Sequence, residues 1–252
     1  MDSQFLEKGT IQKSFFLLTF GAVLNEKAEI QITKLHQLSN HSRSNLKIIS
    51  EAVDEANSRR LWPVPRRIRF INGMSGQSFR LVLNRITAKK RNYLEIGTWR
   101  GSTACSAILG NNVNAWLVDN WSEFGGPAKD ALKNISRCLG DKSKLSVLSE
   151  DFRKVDYGVA VNTPVDVYLF DGPHSQEDHK AGVEVINSLR FDSLLFIVDD
   201  WNWEDVRLGT LAGLQALNSK VVCKVEIFSR TNKRFQFSRW HNGYCFFLIE
   251  GN

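Results

Sequence analysis

The sequence lacks most of the features that assign a chain to a class at once. Its 252 residues contain no apolar run near the roughly 20 residues that a membrane-crossing helix needs. The one suspect, FFLLTFGAVL at Phe15–Leu24, is far too short. Asp2 and Glu7 are mixed with Lys8 and Lys13 ahead of it, and no small-x-small site follows, so a packed N-terminal element is expected rather than a signal peptide. Only four cysteines occur, at positions 105, 138, 223 and 245. None forms a C-x-x-C or a Cys/His pair at zinc spacing, which excludes the common zinc and dithiol motifs. Cys105, Cys223 and Cys245 lie in apolar runs, as small buried hydrophobes do, and a reduced, cytoplasmic setting is the simplest account. Internal repeats and low-complexity tracts are also missing.

What is there is ordinary in bulk and uneven in detail. A chain that is 42% hydrophobic and 24% charged can bury a real core, and its length suits one large α/β domain with an appendage. The net charge of +6 is local. Between Asn57 and Leu94 stand ten basic residues (Arg59, Arg60, Arg66, Arg67, Arg69, Arg80, Arg85, Lys89, Lys90, Arg91) and no acid, leaving 23 basic against 27 acidic residues elsewhere. Such a stretch is either a solvated face or a patch that meets an acidic substrate or partner.

Residues 1–60 read as mainly helical, with an acidic amphipathic run at Leu46–Ala56. Trp62-Pro63-Val64-Pro65 is a breaker, Gly73-Met74-Ser75-Gly76 a loop, and Ser78–Thr87 has helical spacing. From Asn92 the pattern becomes strand, turn, helix, repeated. Strand-like runs fall at Tyr93–Ile96, Ala115–Val118, Leu145–Leu148, Val165–Phe170, Leu194–Val198, Val221–Phe228 and Tyr244–Ile249. Helical segments at Ser102–Leu109, Ala128–Leu139, Ser175–Leu189 and Val206–Leu217 separate most of them. The expected fold is therefore α/β: a Rossmann-like seven-stranded sheet, mostly parallel, with helices on both faces. No helix separates the last two strands, which suits an antiparallel C-terminal hairpin. Residues 1–91 form an N-terminal, mainly helical extension, and 92–252 the ligand-binding domain.

In such sheets ligands sit beyond the carboxyl ends of the strands. Each of the first five strands runs into acid there: Glu95, Asp119, Glu150 with Asp151, Asp171, and Asp199 with Asp200. The turn after the first strand, EIGTWRG, has Trp99 where a dinucleotide fold places its middle glycine, the one that lets backbone approach a pyrophosphate. Glu95 ahead of the turn would repel an anion. Asp119, 24 residues on, suits a ribose diol. Ribose, a cationic tail and no phosphate describe S-adenosylmethionine.

The E-x-G-x-x-x-G turn followed by an acid at the second strand end resembles the class I S-adenosylmethionine-dependent methyltransferases. The G-x-x-x-G variant is similar to the catechol O-methyltransferase-like group. VDVYLFDGPHSQEDH at Val165–His179 and FIVDDWNW at Phe196–Trp203 resemble the metal-dependent macrolide-sugar and aminocoumarin-sugar O-methyltransferases. The resemblance covers about Asn92 to Glu250. It implies that Gly97, Thr98 and Gly101 lie at the methionine part of the cofactor, with Glu95 beneath, and that Ser102 donates to its carboxylate. Asp119 would hold the ribose, and Asp151 and Phe152 would border the adenine. A plain helix cap is the other reading of Ser102.

Asp171, Asp199 and Asp200 would repel one another at adjacent strand ends unless neutralised. Oxygen ligands select a hard cation, and Mg²⁺ or another divalent ion fits best. It would hold two acceptor oxygens and lower the pKa of one hydroxyl. The bland alternative is an Asp-Asp pair that caps the following turn. Asp171 is a candidate base as well as a ligand, and His174 a candidate base or orienting group. His241 lies near the same sheet edge, and Trp121, Trp201 and Trp203 could stack on a sugar or pack the core. The reading is methyl transfer to a hydroxyl of a small polyhydroxylated or sugar-containing acceptor, which the basic segment would allow to be acidic. An RNA methyltransferase using that segment is the rival, ranked lower because Asp-Gly-Pro-His stands where base amino-group methylation would need N-P-P-[YF]. A non-catalytic cofactor-binding partner subunit is a third reading. Residues 1–91 are expected to shape the acceptor pocket or a contact between copies in a homo-oligomer.

Overall fold

A computed structural model describes residues 29–58, 64–88, 92–229 and 239–251. The Phe15–Leu24 run lies outside the described residues, as do Arg59, Arg60, Lys89, Lys90 and Arg91 of the basic segment.

Eight strands form one sheet: β1 (Glu29–Lys34), β2 (Asn92–Ile96), β3 (Asn114–Val118), β4 (Lys144–Leu148), β5 (Val167–Phe170), β6 (Ser193–Val198), β7 (Lys220–Phe228) and β8 (Tyr244–Glu250). Their order is β1-β7-β8-β6-β5-β2-β3-β4. The five strands β2 to β6 run parallel, and β8 inserts antiparallel between β6 and β7. The seven strands read from sequence are all present, and the count is corrected by β1. EIQITK falls in a region read as helical, and it becomes a strand by pairing antiparallel along the outer edge of β7, from Glu29↔Phe228 to Lys34↔Cys223. Such a short run carries little periodicity of its own, so its state is set by a partner almost 200 residues away.

The eight described helices are α1 (Asn40–Ser58), α2 (Arg66–Arg69), α3 (Gln77–Thr87), α4 (Ser102–Ile108), α5 (Ala128–Cys138), α6 (Tyr157–Ala160), α7 (Gln176–Glu184) and α8 (Glu204–Gln215). In α1, Ile49, Ala52, Val53 and Ala56 recur at helical spacing and are buried. They pack in one core with Phe79, Val82 and Ile86 of α3 and Cys105 and Ile108 of α4. A second core lies on the opposite face, where Val183 of α7 and Val206 of α8 meet Tyr168, Phe170 and Phe196. Both faces of the central strands are thus covered, which explains their unbroken apolar runs. No helix among the described residues is long and apolar enough to cross a membrane.

Register positions the functional edge. Ile96 pairs with Val118 and Phe170, Val118 with Leu148, and Phe170 with Val198, so one row crosses five strands. The ladder runs one residue further: Gly97, Asp119, Asp171 and Asp199 donate their backbone N–H to the carbonyls of Val118, Leu148, Ile96 and Phe170 at 2.9–3.2 Å. The acids that follow the strands are thereby fixed to rigid backbone.

Candidate active site

At this edge a cleft of about 870 Å³, its open mouth included, is lined by Gly97, Thr98, Trp99, Ser102, Asp119, Asp151, Phe152, Asp171 and His174, among others. That volume suits a nucleoside-sized ligand. Of the remaining residues singled out in the sequence, Glu95 lies beneath the floor, Gly101 starts α4, and Asp199 and Asp200 stand beside the cleft rather than in its lining.

The floor is the β2–α4 turn. Gly97 has φ 90°, and a Cβ there would run into the Asp171 carbonyl, so only glycine lets the β2 and β5 ends approach so closely. Glu95 is fully buried and accepts hydrogen bonds from the Tyr93 hydroxyl and from Thr103 Oγ1, the latter at 3.0 Å. Burial raises its pKa to about 7 despite those bonds. Asp119 accepts from the backbone N–H of Trp99 at 2.7 Å through one oxygen and of Trp121 at 2.6 Å through the other. Trp99, Trp121 and Phe124 adopt positive φ, an unusual conformation for bulky side chains, and Asp119 is what holds the first two there. On the far side, Arg153 lies 4.5 Å over the Phe152 ring and donates its backbone N–H to Asp151 at 3.0 Å. That bond holds the Asp151 carboxyl below its usual range. Arg153 is also ion-paired with Asp178 of α7. Arg153 and Phe124 escaped the sequence reading because aromatic and basic loop residues carry no spacing signal.

The acids after β5 and β6 are different. Asp171, His174 and Asp200 each offer a ligand atom within 4.8 Å of the others. Asp171 is raised well above a normal carboxylate, first by burial and then by the charges of Asp199 and Asp200. Asp199 is raised by burial and by Asp200, and its Oδ1 accepts the Asp200 N–H at 2.7 Å. The described cluster therefore includes His174, whereas the sequence reading had drawn Asp199 into the ligand set. In Asp200, burial is outweighed by His174 Nε2, 2.8 Å from Oδ2, and by the Asn242 amide, 2.6 Å from Oδ1, so its pKa is lowered. Asp200 has φ 54°, an uncommon conformation for a residue other than glycine. His241 is buried with Nε2 3.3 Å from Asn242 Nδ2. Trp201 is core, donating to Glu226, while Trp203 is 39% exposed with its ring 4.7 Å from His174.

The N-terminal extension also reaches the cleft. Met74 and Ser75 line it, and Ser75 Oγ is 2.9 Å from Ser102 Oγ. The basic segment is only partly a surface. Arg80 is buried and donates to the carbonyls of Ile68, Ile71 and Gly73 and to Ser75 Oγ. Burial lowers its pKa to about 10, so it stays charged. Arg85 forms a two-pronged pair with Glu55, at 2.7 and 2.9 Å. Arg66 and Arg67 are exposed.

The sheet order, the antiparallel β8 and the cleft at the switch between β2 and β5 define a Rossmann-like α/β fold. No protein-family model and no curated protein matches the sequence. Among solved structures, the chain is similar to SMU.776, a provisionally assigned methyltransferase complexed with S-adenosylhomocysteine (TM-score 0.50, 13% identity). That alignment covers 71% of this chain and 50% of SMU.776, so the chain spans about half of that protein. Cofactor-bound Rv0187 from MTB aligns with TM-score 0.49 and 16% identity over 86% of this chain and 93% of its own. An O-methyltransferase from Bacillus cereus, in complex with S-adenosylhomocysteine, aligns with TM-score 0.46 and 17% identity over the same shares.

Proposed function

We propose that the chain is a class I methyltransferase that moves the methyl group of S-adenosylmethionine to a hydroxyl of a small polyhydroxylated or sugar-containing acceptor, with help from a divalent cation. The observation that carries this is the meeting, at one sheet edge, of a turn over buried Glu95 that lacks the pyrophosphate glycine and a cluster of acids, Asp171 in the cleft and Asp199 and Asp200 buried beside it, with too little positive charge to balance them. In this reading Gly97, Thr98, Gly101 and Ser102 cradle the methionine end, Asp119 the ribose, and Asp151 and Phe152 the adenine. Both Asp119 oxygens keep further lone pairs for ribose hydroxyls while holding the two amides.

Asp171, His174 and Asp200 fit a divalent cation: two carboxylates and an imidazole within reach of one point, with Asp199 adding negative charge behind them. Such an ion would offset their repulsion and lower the pKa of an acceptor hydroxyl. In this reading Asp171, which lines the cleft, takes the hydroxyl proton as the oxygen attacks the methyl carbon. The methyl leaves a sulfonium, which departs as a neutral thioether, so the chain's main task is to align the three atoms. The His174–Asp200 contact supports a second, metal-free version in which Asp200 orients His174 as the base.

The test is methyl transfer from labelled S-adenosylmethionine to a panel of vicinal diols, before and after exhaustive chelation. Loss of turnover on chelation, restored by Mg²⁺, is expected. Full activity after chelation would remove the cation and leave the His174–Asp200 version. No turnover with any diol, together with tight cofactor binding, would favour a non-catalytic binding role.

A further inference from the structure

Arg80 has no place in the chemistry above, yet it is a fully buried cation hydrogen-bonded to Ser75, which lines the cleft. Its guanidinium organises the loop that closes over the β2–α4 turn. Three carbonyls, of Ile68, Ile71 and Gly73, and one hydroxyl, Ser75 Oγ, accept from it at 2.8–3.2 Å. Gly73 lies so close to the turn that a Cβ would overlap the Ser102 side chain. The next residues are pinned too: Gly76 donates its N–H to the Tyr244 hydroxyl at 3.0 Å, and Tyr244 stacks on Phe79 at 3.7 Å.

The chemistry of the donors fixes the first step of this chain of contacts. A guanidinium can only donate, so Ser75 Oγ accepts from Arg80 Nε at 3.0 Å. Ser102 Oγ is 2.9 Å away, and either serine can donate across that gap. When Ser75 is the donor, the Ser102 proton is left to point elsewhere, and Ser102 lines the cleft, where a carboxylate needs a donor. We propose that Arg80 acts through Ser75 to set Ser102 as an outward hydroxyl donor, a relay that recognises the carboxylate of the cofactor's methionine end. The proposal rests on the cofactor reading of the cleft and adds to it a positioning residue from the N-terminal extension. Hydrogen bonds in such a chain polarise one another, and a buried charge at its head strengthens the last donor.

The experiment compares two ligands by calorimetry on the full chain: S-adenosylmethionine and its decarboxylated form, which keeps the adenosine, sulfonium and amine. Wild type should prefer the carboxylate-bearing ligand by about tenfold or more. Ser75→Ala, which keeps Arg80 and removes one hydroxyl, should lose most of that preference while its affinity for the decarboxylated ligand stays within about twofold. Arg80→Met should do the same if it folds, and Ser75→Ala decides the matter if it does not. Steady-state turnover, where measurable, should show a raised KM for S-adenosylmethionine with little change in kcat. Equal losses for both ligands would mean that Arg80 and Ser75 only hold the loop, and would overturn the relay. An unchanged preference in Ser75→Ala would overturn it too. Wild type that binds neither ligand would instead refute the cofactor reading itself.

Discussion

The two halves of the cleft use the same residue type in opposite ways. After β3 and β4, each aspartate is met by backbone N–H groups: Asp119 by Trp99 and Trp121, Asp151 by Arg153. After β5 and β6, Asp171 and Asp199 face other carboxylates, and burial with mutual repulsion raises both. The first pair is already satisfied by the fold and suits fixed hydrogen-bonded recognition. The second has an unmet demand for a proton or a cation, and this is where chemistry can be performed. In the proposed reading, one sheet edge thus separates a recognising side from a reacting side by what lies opposite each acid.

Three changes would break or sharpen that contrast. The largest effect is expected at Asp171. Asp171→Asn should lower kcat by about a thousandfold while the Kd for S-adenosylhomocysteine moves less than about threefold. Comparable losses in both quantities would erase the division between halves. Next comes the floor beneath them, where Glu95 is raised to about 7 from an unfolded value near 4.5. The folded chain then holds the proton that the unfolded chain releases, so this stabilisation is complete below about pH 4.5 and is lost as pH rises toward 7. Denaturant unfolding across that range should show wild type losing up to about 3 kcal/mol relative to Glu95→Gln. A difference that does not vary with pH would refute a titrating floor. The smallest effect belongs to the recognising side: Asp119→Ala should weaken S-adenosylhomocysteine binding about tenfold in calorimetry, with kcat at saturating cofactor changed far less. A collapse of kcat there would place Asp119 on the reacting side.

Much of this was legible in the chain because its signals are short-range. The strand ends at Val118, Leu148, Phe170 and Val198 each precede an acid within three residues, Glu95 stands one residue before the end at Ile96, and the parallel register then aligns them. Gly97 and Gly101 announce a turn, and Trp99 excludes a pyrophosphate-type glycine. Arg80 was misread as part of a surface patch, because nothing within its own helix shows that loop carbonyls enclose it. His174 stood out as a loop histidine, but its pairing with Asp200, 26 residues on, needs β5 and β6 side by side.

The sequence by itself therefore determined the order of strands, turns and helices in the sheet from Asn92 onward and the acids at the strand ends. These follow from periodicity and backbone preference over a few residues. Only the tertiary structure decided that β1 joins the sheet, that Arg80 is buried behind Ser75 and Ser102, and which acids are compensated. Those properties depend on burial and on partners far along the chain, and a charge acquires its chemistry from what it faces.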